Sequence, residues 1–292
     1  VSGGPLDPRV HPVRADLAAA RLRDRVVAPR YAEGVRRVCA VGAADVHEAP
    51  DPAARRSSQL LFGEEADVYD EAGGWAWVQA AADGYVGYVR SSALAMPGPA
   101  ASHRVSAIRT LRFAAPDIKS PVLDVLPGGA LLSAVEQDDG KWMRLDRGGF
   151  VFAKHCRPAE EIEDDHVAVA ERLLGTPYLW GGRSSLGVDC SGLVQLSMRA
   201  TGRDCPRDSD MQRDGLGAPA AQGPAVAYRR GDVVFFPGHV GMMADEERLL
   251  HATAFTLDVT VEPLERVVAR GNPILAVRRV GDGGPAGRRE KG

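Results

Sequence analysis

Cysteine is scarce in this chain: Cys39, Cys156, Cys190 and Cys205 are scattered over 292 residues, with no C-x-x-C pair. That excludes the dense disulfide framework by which small secreted domains compensate for a thin core. No His, Cys or acidic group has zinc-like spacing either, so no metal and no other cofactor is expected. Charge of one sign is also missing. The 36 basic and 39 acidic residues leave a net charge of −3 and a pI near 6.2, so neither nucleic acid nor an anionic membrane is the expected partner. No apolar run approaches the roughly 20 residues of a membrane-spanning helix. The opening V-S-G-G-P-L-D-P-R-V-H-P-V-R-A-D holds three prolines and no apolar stretch, so it does not read as a secretory signal. A cytoplasmic location is the resulting expectation, or a periplasmic or secreted one if a leader precedes Val1.

What is present is the material of an ordinary globular protein, 45% hydrophobic and 26% charged, long enough for two or three domains. Residues 1–35 read as an arm, proline-rich and then helical in pattern from Asp16 to Leu22. An internal repeat follows. Pro50, Gly63 and Trp77 recur as Pro116, Gly128 and Trp142, about 65 residues further on. Each copy is a string of short alternating strands broken by Gly and Asp turns and closed by a Gly-aromatic-Val run. That pattern predicts two small β-barrels, residues 36–97 and 98–159, and both resemble bacterial SH3-like domains.

The acidic run from Glu160 to Asp165 marks the next boundary, and residues 160–282 read as an α+β domain with helices first and an antiparallel sheet after. Asp164 or Asp165 caps a helix with Val167, Ala170, Leu173 and Leu174 on one face. A second helix runs from Ser191 to about Ala200, closed by Gly202. Ser209 and Gln212 have capping-box spacing and predict a third helix start. Strands are expected at D-V-V-F-F, H-V-G-M-M, R-L-L-H-A-T and L-D-V-T-V, then a short helix near Leu264 and a final strand I-L-A-V-R-R-V. Residues 283–292, with Arg288, Arg289 and Lys291, are expected to be a flexible tail.

The chemistry converges on Cys190, at the join of a glycine-rich loop and an apolar helix. A helix N-terminus directs unpaired N–H groups and partial positive charge at its occupant, which favours the thiolate, the nucleophilic form. His239 and His251 lie on successive predicted strands. Their even separation puts both on one face of a hairpin, as diagonal neighbours. A thiol, a base and a group to orient that base are the parts of covalent acyl-transfer catalysis. The other five histidines have no comparable context.

In order, P-Y-x-W-G-G, D-C-S-G-L, P-R-x-S-x-x-Q, G-D-x-x-F-F and G-H-V-G span about 120 residues. They resemble the NlpC-type, papain-like cell-wall cysteine peptidases. The resemblance implies Cys190 as nucleophile, His239 as base, His251 as third polar residue and Tyr178 as a hydroxyl beside the nucleophile, with Asp189 and Ser191 flanking it. An arm, two SH3-like domains and this catalytic domain together resemble the γ-D-glutamyl-L-diamino acid endopeptidases. These cleave peptidoglycan-derived peptides of the type L-Ala-γ-D-Glu-diamino acid with a free N-terminal L-Ala. That resemblance implies Glu64 and Tyr85 (or Tyr88) from the first SH3-like domain, and Asp208, Ser209 and Trp180 from the catalytic domain, as substrate-binding residues. Two carboxylates, Glu64 and Asp208, would select the substrate's α-ammonium. Two other readings use the same residues: an acyltransferase or broader amidase, and a wall-binding protein with vestigial catalysis.

Overall fold

The computed structural model describes residues 6–136, 140–220 and 227–281. The expected tail lies outside them. The chain divides into two compact units, Val1–Glu160 and Glu161–Gly292.

In the first unit a seven-stranded antiparallel sheet runs in the order Leu94–Ala95, Val35–Cys39, Glu65–Ala72, Trp75–Ala80, Val86–Arg90, Ala43–His47, Arg56–Leu61. Alternation decides which side chains fill it. Ala76 and Val78 point into a core with Cys39, Leu60, Val68 and Val89, while Trp77 is buried on the opposite face of its strand in a second cluster. A five-stranded and a three-stranded sheet follow between His103 and Pro158, enclosing Val105, Leu126, Leu132, Met143 and Val151. The repeat is visible in both: Trp77 pairs across strands with Tyr88, and Trp142 pairs with Phe152.

The arm departs from its helical pattern. Leu17–Ala19 is a strand, antiparallel to Val13–Arg14 and parallel to Tyr31–Ala32, and only Ala20–Leu22 makes a single 3-10 turn. So short a segment gains little from helix propensity. Burying Leu17, Ala19 and Leu22 against Tyr69 and Trp77 decides its shape instead.

In the second unit, α1 (His166–Glu171) is capped by Asp165, which accepts from Val167 N–H and Ala168 N–H at 2.8 and 3.2 Å. The helix ends before Leu174, which is 48% exposed rather than on the buried face. Helix α2 (Cys190–Ala200) packs Leu193, Val194 and Met198 into the main core. Helix α3 (Ser209–Gly215) does not begin with the expected capping box. Asp208 holds the N-cap position, and Gln212 turns inward, donating to Ser191 O at 2.9 Å and Pro206 O at 2.8 Å. The sheet order is Ala218–Pro219, Ala276–Arg279, Val233–Phe236, His239–Met243, Arg248–Thr253, Asp258–Pro263, antiparallel throughout. Helix α4 (Leu264–Ala269) sits between its last two strands in sequence. No described helix is long and apolar enough to cross a membrane.

Candidate active site

Cys190 is the first residue of α2, and the loop before it is drawn tightly onto that helix. A Cβ at Gly192 would come within 2.3 Å of the Gly182 carbonyl oxygen, so only glycine permits the approach. Asp189 ties the two together: Oδ1 accepts from Gly192 N–H at 2.7 Å and Oδ2 from Gly181 N–H at 2.8 Å. Beneath them lies Arg207, 1% exposed, with Nη2 on Asp189 Oδ2 at 2.7 Å and Nη1 on Asp189 Oδ1 and Ser191 Oγ at 3.1 and 2.9 Å. Both oxygens of Asp189, and the Ser191 hydroxyl, are thus engaged in holding the nucleophile's helix. That is a structural role for both side chains, separate from the substrate contact the resemblance implies.

The histidines sit as their parity requires. Met242 pairs with Leu250 and Met243 with Leu249, which sets His251 diagonal to His239. His239 Nε2 lies 2.8 Å from His251 Nδ1. The His251 ring, 1% exposed, continues to Glu262 Oε1 at 2.9 Å, and Glu262 is gripped by Arg270 at 2.7 Å (Nη1 to Oε2) and 2.5 Å (Nη2 to Oε1). Arg270 in turn lies over the Phe255 ring, 4.2 Å from its centroid. His239 stacks on Phe236.

Burial, not the helix terminus, dominates the thiol. Removal from water, and then the Asp189 charge, push Cys190 up to about 12. The Val240 and Ser191 N–H groups that face the sulfur, and Arg207, pull the other way. The direction is opposite to the acidified thiol expected from the helix end alone, because a buried thiolate costs more than one helix end returns. Burial also holds His239 down to about 3, with the neighbouring His251 and Arg270 adding to the effect and Glu262 opposing it. His251 is lowered by burial as well. Glu262 is held below the usual carboxylate range by the Arg270 hydrogen bond. Tyr178 is raised, first by burial and then by Cys190 and Asp189, so its hydroxyl stays protonated beside the thiol. The resting site thus pairs a neutral thiol with neutral imidazoles. The thiol faces the N–H of Val240, the residue next to His239 on its strand.

The remaining expected residues belong to both units, each described within its own. Asp208 and Ser209 are half-buried at the start of α3, and Trp180 is exposed next to the glycine pair. Glu64 and Tyr85 belong to the first unit. Glu64 Oε2 accepts from Leu61 N–H at 2.9 Å within its own turn, and Tyr85 lies in the barrel core. Tyr88 packs on the outer aromatic face with Trp77.

Comparison with known proteins finds relatives for parts of both units. Residues 175–276 match the NlpC/P60 family, and residues 46–94 match the bacterial dipeptidyl-peptidase SH3 domain. The chain carries an NlpC/P60 domain. Dipeptidyl-peptidase 6 of Lysinibacillus sphaericus is 26% identical over 245 residues, covering 76% of this chain and 89% of that protein. The γ-D-glutamyl-L-lysine dipeptidyl-peptidase of Bacillus subtilis (strain 168) is 28% identical over 247 residues, covering 76% and 80%. In fold, the chain is similar to an NlpC/P60 family protein from Bacillus cereus ATCC 10987, with a TM-score of 0.73 at 20% identity, covering 84% of this chain and 99% of that one. Only the first of the two repeats has a matching family model. Within the NlpC/P60 domain, sequence reasoning missed Arg207, Glu262 and Arg270. The alternation D-V-T-V-E put Glu262 on the same strand face as Thr260, the residue opposite His251, but only the register shows the contact.

Proposed function

We propose that this protein is a cysteine peptidase that hydrolyses the γ-D-glutamyl–diamino acid bond of peptidoglycan-derived peptides with a free N-terminal L-Ala. The observation that carries the reading is the hydrogen-bonded pair His239–His251 on adjacent strands, the first of which meets the Cys190 thiol through Val240, in a domain whose relatives are named dipeptidyl-peptidases. The second repeat is read as another SH3-like barrel, on the strength of its shared Trp hairpin.

In this reading His239 takes the Cys190 proton as sulfur attacks the γ-carbonyl carbon. The carbonyl electron pair moves to oxygen, facing the Tyr178 hydroxyl. Collapse breaks the C–N bond, and the departing amine takes the proton from His239. Water, deprotonated by the same imidazole, then attacks the thioester carbon; the C–S bond breaks, the acid leaves, and the proton on His239 returns to sulfur. Neutral groups at rest suit this sequence, since charge appears only as the bond forms. Glu64 and Asp208 are assigned to the substrate's α-ammonium, with Tyr85, Ser209 and Trp180 as further contacts.

The test is hydrolysis of L-Ala-γ-D-Glu-diaminopimelate and of its N-acetylated form. The wild type should cut the free peptide at the γ-bond. Acetylation should cost on the order of 2–5 kcal/mol of transition-state binding, as loss of one partner of a buried charge pair does. Glu64→Gln should lose by a similar amount on the free peptide and little more on the acetylated one. Equal cleavage of both peptides by the wild type would remove the specificity.

A further inference from the structure

Glu262 sits at the end of an unbroken chain of hydrogen bonds that reaches His239, and the chain runs in only one direction. An ionised carboxylate can only accept, and Arg270 keeps Glu262 ionised. The 2.9 Å contact from Glu262 Oε1 to His251 Nε2 therefore needs the proton on that nitrogen. His251 is neutral, so its Nδ1 carries a lone pair. The 2.8 Å contact between that Nδ1 and His239 Nε2 then needs a proton on His239 Nε2. His239 is neutral as well, which leaves Nδ1 as its one accepting nitrogen.

We infer that Glu262 is a positioning residue which, through His251, sets the tautomer of His239 and so makes Nδ1 the atom that accepts the Cys190 proton. The inference rests on the peptidase reading only for its kinetic consequence. Arg270 gives the device a particular character. Its guanidinium offsets the Glu262 charge at 2.5 and 2.7 Å, so what travels along the chain is an acceptor position rather than a negative charge. An uncharged acceptor should serve nearly as well. Glutamine can keep its amide oxygen on the His251 side while Arg270, a quarter exposed and stacked on Phe255, turns its fork away from the amide nitrogen. Leucine offers no acceptor, so His251 Nε2–H would be buried without a partner and the two rings would redistribute their protons.

The experiment is long-range proton–nitrogen NMR of the full chain with labelled histidine, at neutral pH, beside steady-state kinetics on the γ-glutamyl peptide. In the wild type, His251 and His239 should both appear as Nε2–H tautomers. Glu262→Gln should keep both signatures and hold kcat within several-fold. Glu262→Leu should lose both signatures and lower kcat by roughly 10–100-fold with KM little changed, by analogy with the hydrogen-bond partners of metal-bound imidazoles. A wild-type His251 protonated at Nδ1 overturns the inference. So does a folded Glu262→Leu that retains both tautomers, or a Glu262→Gln as impaired as Leu. Should Glu262→Leu not fold, the wild-type spectrum and the Gln variant decide. The NMR signatures are independent of which bond is cut, so failure of the peptide assay alone would count against the proposed function and not against the relay.

Discussion

The buried ion pair under the nucleophile makes a quantitative double-mutant test. Arg207→Met removes the guanidinium and leaves the Asp189 carboxylate with the N–H groups of Gly181 and Gly192 and the Ser191 hydroxyl, but without its counter-charge. Breaking one side of a buried pair costs about 3–5 kcal/mol, chiefly because the surviving charge is stranded away from water. Asp189→Asn takes the Asp189 charge away from Arg207, and turns an amide N–H₂ toward a backbone donor, which adds about 1–3 kcal/mol for the unmet polar contact. The double variant removes both members of the pair together. Its loss should fall short of the sum of the two single losses by about 3 kcal/mol, the upper end of measured couplings between contacting residues. Far-UV circular dichroism during urea unfolding is the assay. The described α-helices all lie in the second unit, so helical signal reports that unit. Additivity within about 0.5 kcal/mol would refute the coupling. A large KM effect in Asp189→Asn at unchanged stability would return Asp189 to a substrate-binding role.

The remaining expectations are shorter. Cys190→Ala should abolish hydrolysis with the unfolding midpoint nearly kept, and His239→Ala should approach that loss while His251→Gln retains more activity; equal, additive losses in peptide assays would argue against a concerted unit. Stability should be full above about pH 6.5, the ordinary histidine value, and decline as pH falls toward about 3, because the unfolded chain takes up protons that buried His239 refuses. The sign follows from a folded pKa below the unfolded one, and urea midpoints across that range should show a shallower slope in His239→Gln. Gly192→Ala should destabilise the second unit by about 1–3 kcal/mol through forced displacement of the Gly182 carbonyl, and a variant as stable as the wild type would contradict the close approach. Leu257→Gly should be neutral or stabilising by up to about 1 kcal/mol despite the lost side chain, since Leu257 has φ of 61° and is 64% exposed; clear thermal destabilisation would show that the side chain matters more than the backbone strain.

Much of this protein is local enough to be written in its sequence. Period-two alternation marked the strand at Trp75–Ala80, because side-chain direction along a strand depends on position parity, but that Ala76 and Val78 rather than Trp77 face the barrel core is a result of packing. The same parity put His239 and His251 on one face, once a tight turn joins their strands. Apolar spacing after Asp189 and the following Gly202 bounded α2 to within a residue. Properties that depend on distant chain segments were not legible. The arm's Leu17–Ala19 is extended because an aromatic face from residues 69 and 77 covers it, which outweighs a short helical pattern. Gln212 has the spacing of a cap but is drawn inward by carbonyls of Ser191 and Pro206, partners that only folding brings near. Glu262 meets His251 through a strand register settled by packing along the whole sheet. The protonation state of Cys190 is the sharpest case. The helix end that would acidify it is visible in the sequence, but the desolvation that opposes it arises only when helix, strand and glycine loop close around the sulfur.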